Sequence, residues 1–247
     1  MQTDPWDFLQ TYTAARIARG RTGHSLPTRA LLDFQLDHAR ARDAVYSTLE
    51  TGRLLADIDR IQPRPVLLQS QAMDRKTYLQ RPDQGRRLEA DSWLRLKTLS
   101  TRPADLSIVI ADGLSATAIN THVIPLLTQL VPELVAQGWS LAPICLVQQG
   151  RVAIADEVAH ALKASVTLML IGERPGLTSP DSMGAYLTYA PRPGLTDESR
   201  NCVSNIRPEG MPYEFATQKL LYLLTEMKTR KLSGVELKDE MGGIIES

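Results

Sequence analysis

The chain has 247 residues, enough for one large α/β domain or a domain with a smaller helical appendage. Lys+Arg and Asp+Glu both number 28, and a formal net charge of zero excludes the strongly basic balance of a nucleic-acid binder. At 43% hydrophobic and 23% charged, the composition supports a core, and no stretch reaches the ~20 apolar residues of a membrane-spanning helix.

In chain order, Asp4 and Pro5 form a helix start, with Asp as cap and Pro in the first turn. The pattern predicts a helix over Trp6–Arg19, stopped by Gly20. After a loop, Thr28 opens a second helix, TRALLDFQLDHARARDAVY, with Leu31, Phe34, Leu36, Ala39 and Val45 toward one side. A third helical region runs from Arg81 to Leu99, beginning in the turn-like RPDQG. The arginine-rich stretches Arg16–Arg42 and Arg75–Arg95 read as basic faces or, for most of their arginines, as solvated helix surface. Before residue 100 the one strand candidate is Pro65–Leu68.

The pattern changes at Pro103. LSIVIA (Leu106–Ala111), LAPICLV (Leu141–Val147) and VTLMLI (Val166–Ile171) are short apolar runs that read as buried strands. Helices are predicted from Ser115, where Pro125 and Pro132 should kink or divide the helix, and over Ala155–Lys163. Ala185–Ala190 and Cys202–Ile206 are further strand candidates. Pro212 starts a last amphipathic helix carrying Phe215, Leu220, Leu223, Leu224 and Met227. The alternation predicts an α/β fold: a Rossmann-like, mainly parallel sheet covered by helices, preceded by an N-terminal helical portion. The expected division is a helical region over 1–100 making subunit contacts, an α/β domain over 101–240, and a flexible tail over 241–247 within the frayed run GVELKDEMGGIIES.

Ligands of open α/β sheets gather outside the carboxyl ends of the strands, and three segments fall there. In Asp112-Gly113-Leu114-Ser115, Gly113 permits a sharp turn and Ser115 reads first as a helix cap, while Asp112 faces the crevice. In Gly172-Glu173-Arg174-Pro175-Gly176, two glycines bracket a Glu-Arg pair that is either a ligand loop or an exposed ion pair of little energetic value. In Cys202-Val203-Ser204-Asn205-Ile206, Cys202 is a nucleophile only if a histidine activates it, and none of His24, His38, His122 and His160 is placed beside it by sequence. An inert or ligand-lining thiol is the preferred reading. Dinucleotide, P-loop, zinc and nucleophile-elbow motifs are absent. Two cysteines make no disulfide framework, and MQTDPWDFLQ lacks the pattern of a signal peptide, so a soluble cytoplasmic protein is expected.

The segments Arg19–Gly23, Pro27–Leu32, Asp37–Arg40, Arg81–Leu88, Ile110–Ser115, Gly150–Val152, Gly172–Leu177, Tyr189–Arg192 and Cys202–Ile206 together resemble the small subunit of ethanolamine ammonia-lyase along most of the chain. The resemblance implies an adenosylcobalamin-dependent lyase that converts ethanolamine to acetaldehyde and ammonia by radical rearrangement. It implies a TIM-barrel large subunit that binds substrate, with six large and six small subunits, and a small subunit that holds the nucleotide-tail side of the cofactor. Carried over by motif, Val152, Glu173 and Cys202 line the cobalamin site, Glu173 as an amide acceptor rather than a general base. No catalytic residue and no metal ligand is expected in this chain. No D-x-H-x-x-G occurs, as expected where the cofactor keeps its own base on cobalt. Family members are associated with bacterial microcompartments through a longer N-terminal extension. The few residues before Pro5 favour a free cytoplasmic enzyme instead. Two other readings stay open: a stand-alone α/β hydrolase or transferase using Asp112 and Cys202, and a pure scaffold subunit. Neither a nucleic acid nor a membrane is an expected partner.

Overall fold

The structure is a computed structural model that describes residues 4–13, 15–99 and 102–241. Its centre is a six-stranded sheet in the order β1 (Val66–Gln69), β3 (Cys145–Gln148), β2 (Ala104–Ala111), β4 (Ala164–Gly172), β5 (Met183–Tyr189) and β6 (Asn201–Ile206). The first four strands run parallel, and β5 and β6 are antiparallel additions on the β4 side. The fold is therefore α/β with a mixed sheet.

Alternation along the central strands builds two apolar layers. Leu106, Ile108 and Ile110 of β2 and Val166, Leu168 and Leu170 of β4 face helices α2 (Thr51–Ile61), α5 (Ala116–Ala136) and α7 (Tyr213–Arg230). Val109, Ala111, Met169 and Ile171 face α4 (Ala90–Leu99) and α6 (Ile154–Ala161) on the other side. Burial on both faces is why these strands read as continuous apolar runs.

Helix α1 (Thr28–Tyr46) coincides with the second predicted helix. The helix predicted over Trp6–Arg19 does not form. Asp4 accepts from the Trp6 amide at 3.0 Å, but only a short 3-10 turn, Asp7–Thr11, follows. Trp6, Phe8 and Tyr12 are all exposed, and a short helix with no face to bury is marginal in water. Over Arg81–Leu99 the helix is confined to α4, with a 3-10 turn at Gln84–Arg86 before it, and α3 (Arg75–Gln80) lies upstream.

Pro125 and Pro132 do not divide α5, which runs unbroken because Ile119, Val123, Leu126, Leu127, Leu130 and Leu134 are fully buried along it. Packing of that face outweighs the missing N–H groups. Strand β3 starts only at Cys145, because Pro143 cannot join the ladder, and Leu141 makes an isolated bridge to Leu106. Nor is the run from Gly234 frayed at its start. Asn201 donates to the Gly234 and Leu237 carbonyls and accepts from the Gly234 amide, and Leu237 is buried. Residues 242–247, most of the expected flexible tail, lie outside the described residues.

Candidate functional site

The carboxyl ends of β2, β3 and β4 open into a cavity of about 720 Å³, within the usual range for small-molecule sites. Its floor is backbone. Gly113 sits at φ +57°, and a Cβ there would lie 2.2 Å from the Gly172 carbonyl oxygen. A Cβ on Gly172 would lie 2.0 Å from the Ser115 carbonyl. The two glycines thus let the ends of β2 and β4 touch. Ser115 caps α5 by accepting from the Ala118 amide at 3.3 Å, and its hydroxyl also donates to the Pro180 carbonyl at 3.0 Å.

Asp112 lies beneath this floor and does not line the cavity. It is buried, accepts from the Gly150 amide at 3.2 Å and stands 4.0 Å from Arg75. Burial raises its pKa from 3.8 to about 6, against the opposing pull of Arg75 and nearby backbone N–H groups. Because the folded value exceeds the unfolded one, the group's contribution to stability is fully present below about pH 4 and is lost as pH rises through 6. Relative to wild type, Asp112→Asn should therefore gain on the order of 3 kcal/mol in stability between pH 4 and 6, at ~1.4 kcal/mol per unit. Urea melts of both proteins across that range check it; parallel curves would contradict it.

Glu173 lines the cavity at the end of β4. Its carboxylate accepts from the Ser204 hydroxyl at 2.5 Å and the Asn205 amide at 3.1 Å. It makes no ion pair with Arg174, its sequence neighbour, which is exposed on the cavity wall. Space for Glu173 comes from Gly184, where a Cβ would sit 2.9 Å from Oε1 and where the β5–β6 register shifts.

Val152 lines the wall at the start of α6, next to Arg151 and Ala153. Cys202 is exposed on β6, outside the lining, and pairs with Tyr186, which does line the cavity. Partial desolvation and the Glu173 charge push the Cys202 thiol up, the reverse of what a nucleophile needs. No histidine or cysteine lines the cavity among the described residues. The structure thus brings Val152 and Glu173 to one cavity and puts Cys202 outside its lining, two residues before Ser204 on β6.

Three features escaped the sequence reading. His122 is buried between the Tyr213 hydroxyl at 2.7 Å and Asp181 at 3.4 Å. Asp181 in turn faces Arg207 at 3.4 Å, whose second amino group donates to the Thr178 carbonyl at 3.3 Å. This network ties the 173–182 loop to the end of β6. The second is the Tyr78 ring, sandwiched between Arg75 at 4.8 Å and Arg151 at 4.5 Å. The third is Arg200, whose guanidinium pairs with Asp156 of α6 through two bonds of 2.8 and 2.7 Å, both side chains buried. None follows a local motif. The faint signals were one histidine in an apolar helix and an acidic residue in the buried ADEVAHALK run.

A cavity at the strand ends of an open α/β sheet places the protein among α/β proteins with a ligand crevice there. Residues 3–238 match the family model described as ethanolamine ammonia-lyase light chain, and the chain belongs to that family. It is 56% identical over 240 residues to the ethanolamine ammonia-lyase small subunit of Azotobacter vinelandii, covering 96% of this chain and 89% of that one. It is 55% identical to the small subunit of Pseudomonas putida and 52% identical to that of Pseudomonas aeruginosa, each over 96% of this chain and 88% of the relative.

Proposed function

We propose that this chain is the small subunit of an adenosylcobalamin-dependent ethanolamine ammonia-lyase and that its cavity holds the nucleotide-tail side of the cofactor. The observation that carries the reading is the pairing of Glu173 and Val152 on the walls of one strand-end cavity in a chain of this family. The donor set fits the group. The corrin rim carries neutral amides, and each Glu173 oxygen keeps acceptor capacity after its bond to Ser204 or Asn205. Val152 offers an apolar contact for the benzimidazole, and Cys202 lies outside the lining beside its strand partner Tyr186.

With adenosylcobalamin bound, the chemistry available is radical rearrangement begun at the cobalt–carbon bond, converting ethanolamine to acetaldehyde and ammonia. This chain's residues bind and orient. Glu173, held by two donors, accepts from amides and moves no proton. The Gly113–Gly172 floor admits no water between the strand ends. Substrate binding and the reacting centre belong to a TIM-barrel large subunit in a particle of six large and six small subunits. Contact with it is assigned to the helical region before residue 100. There the 4–46 segment exposes Trp6, Phe8, Tyr12, Leu32 and Leu36, an apolar surface that calls for a cover. No described helix is long and apolar enough to cross a membrane, and the proposed location is the cytoplasm.

Acetaldehyde formation from ethanolamine and adenosylcobalamin should require both subunits together, and an inactive pair that is folded and associated would overturn the assignment. Glu173→Gln turns an amide donor toward Ser204 or Asn205 and removes the charge. In the assembled enzyme it should weaken cobalamin retention on dialysis about ten-fold, the value of one charged hydrogen bond. Unchanged retention would remove Glu173 from the site.

A further inference from the structure

The connection between β4 and β5 is a hairpin at the edge of the cavity, and its tip supplies Gly176, Thr178 and Ser179 to the lining. The root is fixed. The Glu173 amide donates to the Ser182 carbonyl at 3.0 Å, and the Ser115 hydroxyl donates to the Pro180 carbonyl. The tip is closed on itself, with Gly176 and Ser179 exchanging amide-to-carbonyl bonds of 3.1 and 3.3 Å. Among the described residues, no backbone bond joins 174–181 to another element. Segments held by few backbone bonds open locally at low cost, and the lids of binding sites are drawn from them.

Side chains hold this hairpin to the body, and Asp181 is their centre. Its Oδ1 stands 3.4 Å from Arg207 Nη1 and its Oδ2 3.4 Å from His122 Nε2. A carboxylate only accepts, so Nε2 carries the proton of the neutral imidazole and Nδ1 accepts from the Tyr213 hydroxyl at 2.7 Å. His122 is buried on α5 and Tyr213 opens α7, so the clasp reaches both helices on that face of the sheet. Arg207 adds its bond to the Thr178 carbonyl, and Arg16 reaches the Leu177 carbonyl at 3.5 Å. Both Asp181 contacts exceed the roughly 2.7–3.2 Å of a close N–H···O bond, so they hold largely by charge and yield at small cost. Asp181, His122 and Tyr213 are all outside the cavity lining and act on a ligand only through the hairpin.

We propose that residues 174–181 form a flap that opens for a ligand to enter and leave the strand-end cavity, and that Asp181, clasped by His122 and Arg207, is its latch. This gate rests on the cobalamin reading of the cavity, and it governs the rate of exchange rather than the contacts of the bound cofactor. The latch is made in both the empty and the filled closed states and broken only during passage. It therefore slows entry and exit alike and leaves affinity nearly unchanged, which separates a gate from a binding residue. The latch also accounts for a histidine on the apolar face of α5, where a leucine would carry no polar group to desolvate.

The test uses the assembled enzyme with cyanocobalamin as probe. Uptake is read by rapid mixing, release by displacement of labelled probe, and flap opening by hydrogen exchange of the 176–179 amides. Asp181→Asn should speed all three about ten-fold, as for one charged hydrogen bond, and leave the affinity within about two-fold. The Asp181 side chain is 30% exposed and Arg207 keeps Glu209 at 3.9 Å, so this variant strands no buried charge and should fold. His122→Phe fills the same space without the bond and should speed all three about three-fold, as for one neutral bond. Faster release with unchanged uptake would make Asp181 a contributor to affinity, and unchanged rates, with or without faster amide exchange, would leave the hairpin without a gate. Either result overturns the flap. Weaker binding in Glu173→Gln with unchanged rates in the latch variants would leave the cofactor reading standing without the gate. A wild-type enzyme that binds no cyanocobalamin would end both.

Discussion

Asp156→Ala should destabilise the protein by about 3–5 kcal/mol, the cost of leaving one partner of a buried ion pair uncompensated. Both side chains of the pair are almost wholly buried, and Arg200 also donates to the Thr188 hydroxyl and the Leu195 carbonyl, each at 3.2 Å. Without the carboxylate, the buried guanidinium keeps as counter-charge only the exposed Asp197 carboxylate, 3.6 Å from its Nε, in a medium that solvates it poorly. Replacing Arg200 with Met in the same chain should recover most of the loss, because two apolar groups often replace a buried pair at little cost. Urea unfolding of the single and double variants checks both. A single variant within about 1 kcal/mol of wild type would show that the pair is solvated in solution, as exposed pairs are.

Gly172→Ala should be the most damaging small substitution in the cavity. The added methyl would lie 2.0 Å from the Ser115 carbonyl oxygen and 2.5 Å from that of Asp112, both backbone atoms that cannot rotate aside. Relief requires the β2–α5 turn to move, which breaks the Leu114 amide bond to Gly172 and shifts the cap of α5. Overpacking of about 1–3 kcal/mol plus about 1 kcal/mol for the cap gives a loss of roughly 2–4 kcal/mol. Gly138→Ala is the control. Unlike Gly172 it has positive φ, +78°, but it faces open space, so it should cost only about 1 kcal/mol. Equal urea midpoints for the two variants would contradict the close approach.

The strands were legible because both faces of β2 and β4 are buried, which leaves unbroken apolar runs in the sequence. Helix α1 was legible from Thr28 at its start and from the loose apolar side of Leu31, Phe34, Leu36, Ala39 and Val45. Helix α2 was not, although Leu54 and Ile58 are fully buried, because TGRLLADIDRI is short and sits between two loops. The Trp6–Arg19 error has the opposite cause: local signals favour a helix, and no tertiary surface completes it. In the site, the glycines and Glu173 could be found because they follow strands directly. The Tyr78–Arg151 stack and the Asp156–Arg200 pair could not, because each joins residues that only the folded sheet brings together.

The pairing of the parallel strands also bears on how fast the enzyme comes into being. Partners in β1 and β3 are 79 residues apart, and bonded residues of β2 and β4 are 60 apart. Loop closure over such distances comes before any reward from pairing, so this topology folds slowly for its size. The cavity walls on Arg151 and Glu173 exist only after that closure. Through this interval the 4–46 segment, with its exposed Trp6, Phe8, Tyr12, Leu32 and Leu36, is already synthesised and uncovered. The slow step in producing working enzyme is thus expected to be unimolecular closure of the sheet, and raising subunit concentration will not hurry it.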